Sequence, residues 1–325
     1  MSALAAYVTQ LGGPEQITVG ELPVPALGPT DVLVETEALE VNRVDTYVRS
    51  GAYVTPTPFP FIIGRDLVGT VIAAAAGVAG FEVGDRVWSN SLGHGGRQGS
   101  FTQQAVVSAD RLYHLPAGVD AVEAVAVLHG AGTACLGLFR DASIRPAETV
   151  VIGGGAGAVG GAAVQLAARA GARVLATAAP QHADWCRANG AEPVFDYRDP
   201  VLIDKLRDAA GRGVDVYWDT SGHQDLEAIV PLLANGARVI VTAAADPRPV
   251  LPAHAYYTRD ISIRPFAISN AAVSDLAAAA QTINARLADG TLKARIGARL
   301  PLSEAAQAHR RLEAGDTDGR IVVVP

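Results

Sequence analysis

The chain has 325 residues, 49% of them apolar, and a formal net charge of −7. Its length suits two domains at roughly 150 residues each, and the acidic balance without any Lys/Arg-rich tract offers nucleic acid and anionic lipid no electrostatic hold. Only Cys135 and Cys186 occur, far apart and outside any CxxC, which excludes a disulfide framework and a zinc site built from several thiolates.

Residues 1–13 carry no basic region ahead of an apolar core, and no stretch is expected to stay apolar for the roughly 20 residues that cross a membrane, so the cytoplasm is the default location. Up to about residue 120, short strand-like runs at 31–35, 67–75, 86–88 and 102–107 alternate with Pro- and Gly-rich connections, the pattern of a compact, mostly β domain. From about 122 the runs at 150–152, 174–177, 194–197, 214–218, 237–242 and 261–263 are separated by helical segments, which predicts an α/β domain with a doubly wound parallel sheet. Two further helical segments, 271–289 and 302–314, precede a final run at 321–324 that is too hydrophobic to fray and is expected to return to a sheet. Cys135 and Cys186 read as small buried apolar residues.

The most informative motif follows the strand at 150–152, where Gly155, Ala156, Gly157, Ala158, Val159 and Gly160 open the Ala-rich helix at 161–170. Glycines at a strand-to-helix turn let the backbone approach a pyrophosphate, and the helix N-terminus attracts its charge, so this G-x-G-x-x-G predicts a dinucleotide site. Without its βαβ context the same pattern is only a flexible turn. NAD-specific sites place an acid roughly 20 residues after the first glycine to grip the ribose 2′-hydroxyl. The window Thr177, Ala178, Ala179, Pro180, Gln181 and His182 contains none, which favours NADP(H). His182, Arg187, Tyr197 and Arg198 are the nearby donors for a 2′-phosphate, although His182 reads equally well as a solvated surface residue. One charge-assisted hydrogen bond there implies a preference for NADPH of at least about tenfold.

Several separated motifs agree with one family. Asn42-Arg43-Val44-Asp45-Thr46-Tyr47-Val48-Arg49-Ser50-Gly51-Ala52-Tyr53 resembles the N-x-x-(D/E)-x-Y-x-R-S-G-x-Y segment of zeta-crystallin-like NADPH:quinone oxidoreductases, zinc-independent members of the medium-chain dehydrogenase/reductase superfamily. Gly64-Arg65-Asp66-Leu67-Val68-Gly69, Gly84-Asp85-Arg86-Val87, Gly132-Thr133-Ala134, Gly213-Val214-Asp215 and Leu302-Ser303-Glu304-Ala305-Ala306 follow in the family's order. The resemblance implies a GroES-like catalytic domain over 1–122, completed by 269–325, and a Rossmann NADP(H)-binding domain over 123–268. It also implies a homodimer joined edge to edge through the cofactor domains, with 238–242 and 261–268 as candidate contacts.

Carried over from the family, cofactor contacts fall on Tyr53, on the turn from Ala156 through Ala158 to Val159, and on Ala179, Tyr197 and His223. They continue on Val241, Thr242, Ala243 and Ala244, then on Phe266, Ala267 and Ile268. Thr133, read as preceding a helix, either caps it or touches the cofactor phosphates. The chain departs from the family in lacking a Lys shortly after Ala179 and in placing His223 where a small polar residue is common. Zinc-dependent members of the superfamily have a Cys in the early catalytic segment and a Gly-His-Glu block. Here no Cys lies near Asn42, and Arg65-Asp66 replaces the His-Glu pair, so no catalytic metal is expected. His94, His114 and His129 read as local or structural.

Without a metal the acceptor must itself be electron-poor, as a quinone is, and the protein's task is placement in a dry site. Asn42 is the candidate to hydrogen-bond a carbonyl oxygen, and Tyr47 and Tyr53 to stack on a ring or orient the nicotinamide; the bland alternative is that this segment only packs and caps its domain. Asp45 and Arg49 read as a structural ion pair or as surface charges. The expected function is a cytoplasmic, NADPH-dependent oxidoreductase reducing quinones or similar activated carbonyl compounds. An enone or 2-alkenal double-bond reductase, with Tyr47 or Tyr53 as proton donor, is the alternative. A non-catalytic nucleotide- or RNA-binding role is disfavoured by the acidic charge. The expected partner is therefore a small-molecule substrate, with no nucleic acid and no membrane.

Overall fold

Residues 1–325 are described by a computed structural model, and they separate into two units, Met1–His129 with Leu276–Pro325, and Gly130–Asp275. In the first unit, the strand Asp31–Glu40 is the hub of a seven-stranded sheet, pairing antiparallel with Asp66–Ala74, Gln104–Ser108 and Arg320–Val324. Val32, Val34, Leu39, Leu67, Val71, Val107, Ile321 and Val323 supply its core, the β-branched and Leu side chains that pack well on a pleated surface. The last strand runs parallel to Ile296–Pro301 and antiparallel to Asp31–Glu40, with Val323 opposite Leu39. A three-stranded sheet of Thr18–Pro23, Ser2–Val8 and Phe61–Ile62 belongs to the same unit.

One helix of this unit, Arg43–Ser50, escaped the sequence pattern because it is short and β-branched at Val44, Thr46 and Val48. Its ends are set locally. The Asn42 N–H donates to Asp45 Oδ2 at 2.8 Å, and Gly51 closes the last turn at φ +84°, a left-handed conformation that a side chain would strain.

The second unit is a six-stranded parallel sheet ordered Ala191–Asp196, Arg173–Ala178, Thr149–Gly153, Val214–Asp219, Leu233–Val241, Ser262–Pro265. Counted along this unit that is 3-2-1-4-5-6, the doubly wound Rossmann order, which reverses direction at Thr149–Gly153. Each predicted strand is present, with its ends moved by a few residues.

One expectation fails. The helical stretch Ala121–Asp141, 21 residues, is long and apolar enough by composition to cross a membrane, and 83% of its apolar window is buried within the protein, which makes it a core helix. Glu123, His129 and Arg140 interrupt the apolar run when it is read linearly, and this hid its length.

Candidate active site

In the second unit the parallel strands end along one edge of the sheet, at Gly153, Ala178, Asp196, Asp219, Val241 and Pro265. The carried-over cofactor positions follow those ends. Gly155 to Gly160 come after Gly153, Ala179 after Ala178, Tyr197 after Asp196 and His223 in the turn beyond Asp219; Thr242 to Ala244 continue from Val241, and Phe266 to Ile268 from Pro265. Ligands of open parallel sheets bind outside the carboxyl ends of the strands, at the point where strand order reverses. Thr133 lies inside the helix Ala121–Cys135, buried, and so caps no N-terminus.

The turn itself is tightly built. Gly154 takes φ +69°, and Gly157 N-caps a helix that starts at Ala158, three residues ahead of the predicted 161. A Cβ on Gly160 would lie 2.1 Å from the Gly154 carbonyl oxygen, so only glycine lets the helix start so close to the turn. Thr220 Oγ1 donates to Gly153 O at 2.7 Å, and the Asp219 carboxylate accepts from the N–H groups of Ser221 and His223 at 2.8 and 3.1 Å, which fixes the adjoining turn. The N–H groups in the first turn of Ala158–Arg169 have no intrahelical acceptor, the condition that makes a helix N-terminus attract an anion. Farther along this edge, Trp218 Nε1 donates to Thr242 Oγ1 at 3.1 Å, and the Arg140 guanidinium lies 5.2 Å from the Phe266 ring centre.

Beside the six-residue window the fold supplies an acid that the window itself lacked. Ala178 stands opposite Asp196 in the parallel register, so this carboxylate is beside the chain just before Ala179. It is already engaged: the Arg198 N–H and Nε donate to Asp196 Oδ1 at 3.0 and 3.1 Å, and Nη2 donates to Oδ2 at 3.2 Å. These hydrogen bonds hold the Asp196 carboxyl below its ordinary range. Arg198 also lies 5.5 Å from the centre of the Tyr197 ring. Arg187, the other cation in reach by sequence, pairs with Asp184 at 2.6 Å. No linear spacing reveals Asp196, because its neighbour relation comes from strand pairing.

In the first unit, Asn42 N-caps the helix Arg43–Ser50 and is only 2% exposed. Its Nδ2 donates to Asp66 Oδ2 at 3.1 Å and its Oδ1 accepts from Arg320 Nη2 at 3.0 Å. The carboxamide is therefore turned into the domain. The two tyrosines bracket the other end of the helix, where the Tyr53 N–H donates to the Tyr47 carbonyl at 3.0 Å. Tyr47 is 47% exposed, and the half-buried Tyr53 tilts against His94 with ring centres 5.7 Å apart. Burial, with Arg65 and Arg97 adding to it, lowers His94 to about 4, so the ring is neutral near pH 7.

Asp45 and Arg49 are neither surface charges nor a pair with each other. Both are buried, Asp45 receiving the Asn42 N–H and Arg49 pairing with Glu313 on the helix Ala305–Ala314. Burial lifts the Asp45 carboxyl to about 7. No group of three or more His, Cys, Asp or Glu side chains is placed to hold a metal ion. Burial also pushes the Cys135 thiol up to about 12, away from the thiolate that zinc requires.

A doubly wound sheet with a glycine turn at its switch point, carried beside a mostly β unit, is the architecture of a nucleotide-binding dehydrogenase. Family models agree in both parts: the alcohol dehydrogenase GroES-like domain matches residues 28–117, and zinc-binding dehydrogenase matches residues 158–285. The quinone oxidoreductase of Sus scrofa is 33% identical over 312 residues, spanning 95% of this chain and 93% of that protein. Among solved structures, an NAD-dependent alcohol dehydrogenase superimposes with a TM-score of 0.90 at 30% identity, covering 99% of each chain. A mycobacterial protein complexed with NADPH superimposes with a TM-score of 0.85 at 28% identity, covering 100% of each chain. The chain belongs to the quinone oxidoreductase family of the medium-chain dehydrogenase/reductase superfamily, and it is an oxidoreductase.

Proposed function

We propose that this protein is a zinc-independent, NADPH-dependent reductase of quinones or similar activated carbonyl compounds. The observation that carries the reading is the pair of positions where zinc-dependent relatives hold ligands. Here no Cys lies near Asn42 and Arg65-Asp66 replaces the His-Glu pair, and the Asn42 carboxamide is bonded to Asp66 and Arg320. A site of that composition offers no Lewis acid, so the acceptor must be electron-poor on its own.

Bound NADPH supplies the hydride. The chain's part is to hold and orient. The first-turn N–H groups after Gly157 would cradle the pyrophosphate, Arg198 and Tyr197 would serve the ribose end, and Tyr53 and Tyr47 would be the groups to orient the nicotinamide and acceptor rings. Support for NADPH over NADH comes from the acid-free window and from the neutralisation of Asp196 by Arg198. The enone-reductase reading shares this cofactor site and differs only in needing a proton donor on the acceptor side.

The same reading makes the enzyme a soluble cytoplasmic homodimer that acts on a small molecule, with no nucleic-acid or membrane partner. The strand Ser262–Pro265 ends the six-stranded sheet and is paired on one side only, which supports edge-to-edge association. Sedimentation at a single subunit mass removes the dimer from the proposal. Absorbance assays of NADPH and NADH oxidation against ortho-quinones, para-quinones and enones test the reaction. Quinone turnover with NADPH is expected, and enone turnover without any quinone turnover reverses the order of the two readings.

A further inference from the structure

Glu40 and Asp66 stand directly opposite each other on adjacent antiparallel strands, and both are completely buried. Cross-strand neighbours have Cβ atoms about 5 Å apart, so two carboxylates here would face each other at close range without water. Each has one oxygen engaged. Glu40 Oε1 accepts from Arg320 Nε, while Asp66 Oδ2 accepts from Asn42 Nδ2 and from the His129 N–H, each at 3.1 Å. The other two oxygens, Glu40 Oε2 and Asp66 Oδ1, receive no hydrogen bond from any N–H or hydroxyl group.

The surrounding charges count to the same end. Facing the pair are Arg320 from the last strand, Arg65 beside Asp66, Asp45 from the helix Arg43–Ser50, and His129 from the helix Ala121–Cys135. Burial holds His129 neutral, at about 3. Three buried carboxyls thus face two guanidiniums, and above about pH 7, where Asp45 has given up its own proton, one further proton balances them.

We propose that Glu40 and Asp66 share one proton, bound on Asp66 Oδ1 and donated to Glu40 Oε2, and that this acid–carboxylate pair positions the segment Asn42–Tyr53. The pair acts through Asn42. Asp66 Oδ2 takes the carboxamide N–H and Arg320, held by Glu40, donates to its oxygen, so the amide has one orientation and the N-cap of the tyrosine-bearing helix is fixed. Arg320 can only donate, and this sets which side of the carboxamide faces it. Burial, with the charges of Glu40 and Asp45 next, drives the Asp66 carboxyl well above the ordinary carboxylate range, and burial raises Glu40 as well, against the opposing charge of Arg320. Any effect on turnover rests on the reading that Tyr47 and Tyr53 face the reacting rings.

Infrared spectroscopy of the wild-type protein well above pH 7, where Asp45 has lost its own proton, tests the shared proton directly. A carbonyl-stretch band of a protonated carboxylic acid is expected, and its loss in Asp66→Asn assigns it. Absence of the band in wild type overturns the proposal whether or not quinones are substrates. Asp66→Asn keeps a donor toward Glu40 and an acceptor toward Asn42. It should hold kcat within about threefold of wild type, whereas Asp66→Ala, which removes both, should lose about tenfold or more. Wild-type kcat should fall at alkaline pH as the pair loses its proton, and Asp66→Asn should lack that limb. Equal losses in Asp66→Asn and Asp66→Ala, with both variants folded, overturn the positioning role. Failure of wild type to reduce any quinone, with the infrared band present, counts against the enzymatic reading alone.

Discussion

Gly160 faces the carbonyl of Gly154 so closely that a Cβ at 160 would sit 2.1 Å from that oxygen. The contact ties the first turn of the helix Ala158–Arg169 to the turn that would receive the pyrophosphate, and nothing flexible can give way because the opposing atom is backbone. Gly160→Ala must push the helix start away from the strand end. Overpacking of this kind costs about 1–3 kcal/mol, and displaced N–H groups weaken phosphate binding. The variant is expected to melt at a lower temperature and to lose about tenfold or more in affinity for NADPH and NADH alike. Fluorescence titration of both cofactors checks this, and unchanged affinities would place the pyrophosphate elsewhere.

Arg198 answers a different question, because its proposed partner is the 2′-phosphate and no other part of the cofactor. It spans Asp196 in the free protein, and a 2′-phosphate would compete for the same guanidinium. Arg198→Ala should leave NADH affinity near its wild-type value, remove about tenfold of NADPH affinity, and expose the Asp196 carboxylate. Both effects shift preference towards NADH. Dissociation constants for the two cofactors settle the matter, and an equal loss for both assigns Arg198 to the fold rather than to the phosphate.

How far a sequence discloses such a site depends on whether its residues are related by spacing or by packing. Gly155 to Gly160 were legible because the turn is local: strand, glycines and helix follow one another along the chain. The six parallel strands were legible for the same reason, as apolar runs between helices. Asp196 and Ala178 are neighbours only through parallel register, and no window along the chain joins them. Asp45 and Arg49, at a spacing that suggests a surface pair, instead turn to partners far away in sequence, Arg49 to Glu313 on the helix Ala305–Ala314. Their burial is a property of tertiary packing, which charge pattern alone does not encode.

Asp45 carries a pH dependence of definite sign. Burial raises its carboxyl from 3.8 to about 7, so the folded chain holds a proton that the unfolded chain releases at lower pH. Stability from this group is therefore lost as pH rises from about 4 to about 7, by at most about 4 kcal/mol. Asp45→Asn retains an oxygen to accept the Asn42 N–H and has no proton to lose. Wild type should weaken relative to Asp45→Asn between pH 5 and pH 8 in urea unfolding, and a wild type that gains over the variant across this interval contradicts the buried acid.

Tyr47 and Tyr53 separate the two reductase readings, because the chemistry of the acceptors differs. A quinone gains its hydride at an electron-poor ring and its oxygens take protons readily from water, whereas a reduced enone must be protonated at carbon by a placed group. Removing one phenolic hydroxyl keeps each ring and its packing, including the contact of Tyr53 with His94. A general acid contributes about a hundredfold or more to turnover, so Tyr47→Phe or Tyr53→Phe should cost that much if enone reduction is the native reaction. Quinone reduction should change by less than about threefold in either variant, since ring placement is intact. Steady-state kcat for one quinone and one enone in both variants distinguishes these outcomes. A hundredfold loss on the quinone in either variant would mean that the phenol does more than orient a ring.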